Sequence, residues 1–102
     1  MEIRQVEFFQ GKSFEIVEMI LKNIDNQLEL IWKICFENEI FMITFYNVSS
    51  FRVSEVSNPI VIQGFEIINN SPNGWEKDFT YEIRDFEDDR VNFFCEHFKL
   101  GE

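Results

Sequence analysis

The side chains best equipped for chemistry lie near the end of the chain. Residues 85–98 read DFEDDRVNFFCEHF, which sets Asp85, Glu87, Asp88, Asp89 and Glu96 beside Cys95 and the single histidine, His97. Hard cations are the first chemistry such carboxylates suggest. A calcium loop of the EF-hand type needs about six to eight oxygen ligands, with glycine at its sixth position and glutamate at its twelfth. Counted from Asp85, the twelfth position is Glu96, but the sixth is Arg90, and Val91, Phe93 and Phe94 fill inner slots. Calcium is not expected. Zinc prefers thiolate and imidazole. Cys95 and His97 stand two apart, which on a strand directs both to one face, and Cys35 could join them from another strand. Three ligands from distant strands, without a second histidine, make a poor cage. The ordinary alternative is that Cys95 packs as a small apolar group and His97 ends a strand. No metal is expected.

Bond-making fares no better. On one flat strand the α-carbons of Cys95 and His97 would be roughly 6.5–7 Å apart with parallel side chains, which does not bring an imidazole onto a thiol. No serine stands at a strand-to-helix elbow. The carboxylates of residues 85–89 crowd what reads as a solvated tip, where burial cannot raise a pKa for acid–base work. None of the four glycines belongs to a phosphate-cradling loop, so no cofactor is expected. The chain reads as a protein that is not an enzyme.

Bulk properties point the same way. The 102 residues make one domain, residues 1–102, long enough to bury about 65% of the surface its unfolded form exposes. Thirteen phenylalanines, two tryptophans and no alanine favour pleated, half-buried strands over helix. Nineteen acidic against nine basic side chains leave a net charge of −10 and a pI of about 4.5. That surface repels nucleic-acid phosphates and anionic membranes, so neither is expected as a partner, and it attracts basic proteins. The bland function of such charge is to keep a phenylalanine-rich domain soluble. The N-terminus MEIRQVEFF lacks the basic and apolar regions of a signal peptide, and the longest uncharged run, residues 40–51, is too short to span a bilayer. A cytoplasmic protein with reduced thiols is expected.

Those residues must be positioned by strands. In QLELIWKICF, residues 27–36, Leu28, Leu30, Trp32, Ile34 and Phe36 alternate with Glu29, Ile31, Lys33 and Cys35. Trp32 therefore reads as core. Glu37-Asn38 turns the chain into EIFMITFY, residues 39–46, whose two apolar faces predict a central strand covered on both sides. Residues 13–24 fit a strand ending at an Asp25-Asn26 turn, with a short helix near the N-terminus as the alternative. Residues 3–9 read as an edge strand. Residues 59–68 read as one strand in which Gly64 marks a bulge or a close backbone approach, and NNSPNG, residues 69–74, as a turn. A brief strand at Phe51–Val53, after the Val48-Ser49-Ser50 bend, and residues 79–86 and 90–98 complete the set. The fold class expected is all-β: an antiparallel sandwich or small barrel of six to seven strands.

As structure, the opening stretch is a hairpin. A two-residue tip at Asp88-Asp89 sets Glu87 opposite Arg90, Asp85 opposite Asn92, Ile83 opposite Phe94 and Phe79 opposite Phe98. Such cross-strand pairs contribute about 0.2–1 kcal/mol each. Phe86, Val91 and Phe93 on the other face predict burial on both sides for part of its length. Asp-Asp is not the Asn-Gly of the tightest turns, so a longer loop is an equal reading. Trp75 follows the turn-rich loop beside Glu76, Lys77 and Asp78, either folded back on the sheet or exposed as a partner's anchor.

The runs NVSSFRVSEVSNP, IQGFEI and GWEKDFTYEIRDFEDDRVNFFCE, within residues 47–98, resemble a family of small uncharacterised proteins from Gram-positive bacteria. Some of its members are regarded as immunity-type proteins encoded near secreted polymorphic toxins. The likeness covers about half the chain and brings no catalytic residues. It implies a small cytosolic binding protein, and with the charge it suggests a basic partner such as a toxin. The candidate partner-binding residues are Trp75, Glu76, Asp78, Asp85, Glu87, Asp88 and Asp89. Two rival readings are a phenylalanine-lined cavity for a small apolar ligand, and a homo-oligomer built through two-sided apolar strands.

Overall fold

Two tight turns organise the first half of the chain. Asp25 and Asn26 have positive φ, 52° and 65°, the left-handed pair of a type I′ turn, whose twist matches that of the strands it joins. They connect β1 (Phe14–Ile24) to β2 (Gln27–Phe36). Glu37 and Asn38, at 51° and 64°, connect β2 to β3 (Glu39–Tyr46) in the same way. All three expected strands are present. The computed structural model describes residues 3–53, 60–70, 80–85 and 91–101. β1 pairs with β2 from Ile24↔Gln27 to Glu15↔Cys35, skipping Val17 in a bulge, and β2 with β3 from Phe36↔Glu39 to Glu29↔Tyr46.

The second half bends repeatedly. β3 gives way to β4 (Ser49–Val53) at Asn47-Val48. β5 (Ile60–Ile62) gives way to β6 (Phe65–Asn69) at Gln63-Gly64. After β7 (Tyr81–Asp85), β8 (Val91–Cys95) gives way to β9 (His97–Gly101) at Glu96. At each bend the chain leaves one sheet for the other. The first sheet has the order β5-β1-β2-β3-β9 and the second β4-β8-β7-β6, every pairing being antiparallel. The result is an all-β sandwich, not a closed barrel. Its strands outnumber the six to seven expected because residues 59–68 and 90–98, each read as one strand, are two.

Hydrogen bonds hold the corners. The Glu96 N–H donates to the Tyr46 carbonyl at 2.9 Å, the Val48 N–H to the Leu28 carbonyl at 2.8 Å, and Asn47 Nδ2 to Glu96 Oε1 at 3.3 Å. At the other corner the Gly64 N–H donates to Asp85 Oδ1 at 3.0 Å, and Ser13 Oγ donates to the Gln63 carbonyl at 2.8 Å. The N–H of Gly11 and the carbonyl of Lys12 pair with Phe65.

Residues 3–9 are not an edge strand. Val6–Phe9 forms a 3-10 turn whose two ends are buried while Phe8 is exposed. Side chains three apart coincide in such a turn, so Val6 and Phe9 enter the core together. Phe9 meets Phe14, Phe36 and Phe41 edge-on at 5.7, 5.4 and 5.5 Å. Between the sheets, Trp32 contacts Phe45 at 4.8 Å and Phe93 at 5.7 Å, and Phe45 contacts Phe93 at 4.9 Å. Edge-to-face pairs of this kind add about 0.5–1.5 kcal/mol each beyond the area they bury. Trp32 is core, as its alternation requires.

Two expectations need correction. β3 lies inside its sheet, between β2 and β9, but is covered on one face only: Ile43 and Phe45 are buried while Ile40, on the other face, is exposed. The β7–β8 pairs are Tyr81↔Cys95, Glu82↔Phe94, Ile83↔Phe93 and Arg84↔Asn92, one residue away from the register of a two-residue tip. Ile83 and Phe93 are both fully buried, and a slip of one residue would turn one of them outward. Phe98 does not continue that strand but pairs with Phe45 in the other sheet, and Phe79 lies outside the described residues.

Replacing Asp85 with alanine tests the corner at Gly64. Removing an acceptor from a buried N–H is expected to lower unfolding free energy by about 1–3 kcal/mol. Urea denaturation reads this directly, and an unchanged midpoint would show that the corner does not need the carboxylate.

Candidate interaction surfaces

The acidic candidates part company at β7. Asp85 closes the strand and is 1% exposed, its carboxylate turned onto the Gly64 N–H. It is a structural acceptor and leaves the proposed surface. Its inward direction follows from the register, since Asp85 shares a face with the buried Ile83. Trp75, Glu76, Asp78, Glu87, Asp88 and Asp89 lie outside the described residues. Residues 71–79 join β7 before Tyr81, whereas residues 86–90 leave it after Asp85. The two points of attachment are four strand rises apart, about 14 Å.

Cys95 and His97 are separated by the bend at Glu96. Cys95 ends β8 with no exposure, among the core side chains. Desolvation pushes its thiol up to about 12, so it stays protonated and unreactive at neutral pH. His97 begins β9, exposed and stacked on Tyr46 at 4.5 Å with an interplanar angle of 16°. The expectation that both share one strand face fails, because that geometry assumes an unbroken strand. Cys35 is free and partly exposed, and Cys95 is free. Among the described residues no group of three or more His, Cys, Asp and Glu side chains is placed to hold a metal ion.

The structure instead exposes apolar side chains that composition alone did not locate. Val17, Ile20, Leu21 and Ile24 on β1, with Ile40 on β3, are 36–55% exposed. Adjacent apolar residues such as Ile20-Leu21 are the signal in the sequence, since neighbours on a strand point to opposite faces and only one face of this sheet is covered. The outer face of the first sheet carries Ile20↔Ile31, Glu18↔Lys33 and Lys22↔Glu29 in register. Lys33 Nζ and Glu18 Oε1 are 3.5 Å apart. On the second sheet a polar row crosses all four strands, Glu66↔Arg84↔Asn92↔Arg52, with Arg84 Nε 2.6 Å from Glu66 Oε1.

No protein-family model, curated protein or solved structure matches the chain. Among the described residues no helix is long and apolar enough to cross a membrane.

The two thiols should differ sharply towards a maleimide or disulfide reagent. Native protein at pH 8 is expected to label once, at Cys35, and twice in urea; rapid native labelling of Cys95 would contradict its burial. Because the folded thiol titrates higher than the unfolded one, Cys95 contributes stability that is complete below the unfolded value near 9 and is lost as pH rises towards 12. A Cys95→Val variant should therefore lose less stability than the parent between pH 9 and 11, measured by urea midpoints.

Proposed function

We propose that this chain is a non-catalytic, acidic protein-binding domain whose partner is basic, with an immunity-type inhibitor of a basic toxin as the specific form. The observation that supports this most is the net charge of −10 on a domain of 102 residues. Exposed Glu15, Glu18, Asp25, Glu37 and Glu39 spread that charge over the first sheet and its turns. A field of this kind speeds encounter with a cationic surface and disfavours nucleic acid or an anionic membrane. The buried thiol at Cys95, kept protonated, and its separation from His97 fit a role without bond-making. The rival cavity for a small apolar ligand is less favoured, since the rings of Trp32, Phe45 and Phe93 occupy the space between the sheets. A cytoplasmic location belongs to the same proposal.

The candidate contact residues are Trp75, Glu76 and Asp78 before β7, and Glu87, Asp88 and Asp89 after it. Attachment at opposite ends of one strand makes two separable groups, each reversible alone. Immobilised protein should retain the product of the adjacent gene at low salt and release it steeply as salt rises. Reversing Glu87, Asp88 and Asp89 to lysine, or Glu76 and Asp78 to lysine, should weaken retention by about tenfold or more for the group that makes the contact. Absence of any retained basic protein at low ionic strength, or retention indifferent to both salt and reversal, would overturn the proposal.

A further inference from the structure

Among the described residues, the outer edge of β1 is paired over only part of its length. β5 pairs with it only at Phe14, Glu15 and Ile16. Beyond Ile16, among the described residues, no strand pairs with that edge, although β1 continues to Ile24. An open edge presents a row of backbone donors and acceptors that natural sheets normally blunt. Here it also carries exposed Val17, Ile20, Leu21 and Ile24. Its charged residues, Glu18 and Lys22, are of opposite sign and lie symmetrically about Ile20.

We infer that this edge pairs with the same edge of a second copy, giving an antiparallel β1–β1 dimer with its two-fold axis at Ile20. The segment EMILK, residues 18–22, is complementary to its own reverse. With the axis at Ile20, Glu18 faces Lys22 of the other copy, Met19 faces Leu21, and Ile20 faces Ile20. Each of these pairs shares a sheet face, as antiparallel neighbours must. Moving the axis one residue to Leu21 sets Glu18 against Ile24 and Lys22 against Ile20, with no opposite charges in register. Moving it to Met19 sets Lys22 against Ile16, whose outer edge Ile60 already occupies. β5 thus stops the pairing at Val17, which limits an antiparallel pairing about Ile20 to Val17–Asn23 of the free stretch Val17–Ile24.

The register within each copy extends the match. Lys22 lies opposite Glu29, and Glu18 opposite Lys33. Across the dimer the outer face then carries a row Glu29, Lys22, Glu18, Lys33 of alternating sign, the last two from the other copy. The neighbouring row is Ile31, Ile20, Ile20, Ile31. On the inner face Leu21, exposed in the single chain, gains Met19 as a neighbour. Mutual repulsion between two chains of charge −10 is long-ranged and largely screened beyond about 8 Å at physiological salt, whereas the paired charges meet at contact. The contact is small, so a dissociation constant of roughly 1–100 µM is expected. This inference does not depend on the proposed basic partner.

Sedimentation velocity of the full chain from about 5 to 500 µM tests it, with circular dichroism to confirm that each variant is folded. The parent should move from monomer towards twice 12.3 kDa across that range. Glu18→Lys sets two lysines against each other twice, and Lys22→Glu two glutamates twice, so each variant alone should dimerise about tenfold more weakly or worse. Mixed one to one, the two variants restore both opposite-charge pairs and should form a heterodimer of about parental affinity. Ile20→Lys, which brings two lysines to the axis, should be monomeric and cannot be rescued by either. A parent that stays monomeric at 500 µM would overturn the inference. So would a dimer unaffected by all three variants, a mixture that fails to recover, or open-ended assembly.

Discussion

Two sheets stay together because a few aromatic rings reach across the gap and meet edge to face. Trp32 and Phe45 come from β2 and β3 of the first sheet, and Phe93 from β8 of the second. All three are at most 1% exposed. Phe14 and Phe65 continue the same layer at 5.4 Å from each other. With no alanine in the chain and thirteen phenylalanines, the interior sets large, stiff plates among branched isoleucine, valine and leucine side chains. Plates pack well only at fixed angles, so the positions of the strands that carry them follow. The strand register, the inward turn of Asp85 and the burial of Cys95 are consequences of which side chains must face that layer.

The corners are the second consequence. A strand that supplies rings to one sheet can continue into the other only if its backbone bends, and each bend frees polar groups that need new partners. Those partners come from far away in sequence: the Tyr46 carbonyl for Glu96, Asp85 for Gly64, and residues 11–13 for Gln63 and Phe65. Two of the bends carry residues suited to them, Asn47 at a φ of 54° and Gly64 against the Asp85 carboxylate. Asp85 therefore holds architecture in place and is not part of an acidic display.

This division explains what could be read from residues alone. The meander β1–β2–β3 was legible because β2 alternates, β1 and β3 are rich in strand-forming residues, and each turn carries residues that accept positive φ, such as Asn26 and Asn38. The corners at Gly64 and Glu96 were not, since IVIQGFEI and NFFCEHF keep strand-forming residues on both sides of the bend and the deciding hydrogen bonds are non-local. The core was legible in Trp32. The one-residue register difference in β7–β8 was not, because Phe93 and Phe94 are adjacent and equally apolar, and only the facing Ile83 selects between them. Of the candidate site, the charge was plain, the burial of Asp85 was hidden by the same register, and the exposed side of β1 was visible only as an apolar run with no favoured face.

The functional reading inherits its shape from these constraints. A tightly filled interior leaves binding to the outside: acidic turns, the outer sheet faces and the open edge of β1. All of it requires that the rings of the two sheets be in energetic contact. A double-mutant cycle on Trp32→Leu and Phe93→Leu, read by urea denaturation, measures that contact most directly. The account predicts a coupling of about 0.5–1.5 kcal/mol between the two substitutions; strictly additive losses would mean that the rings do not meet and that the two sheets are not joined as described.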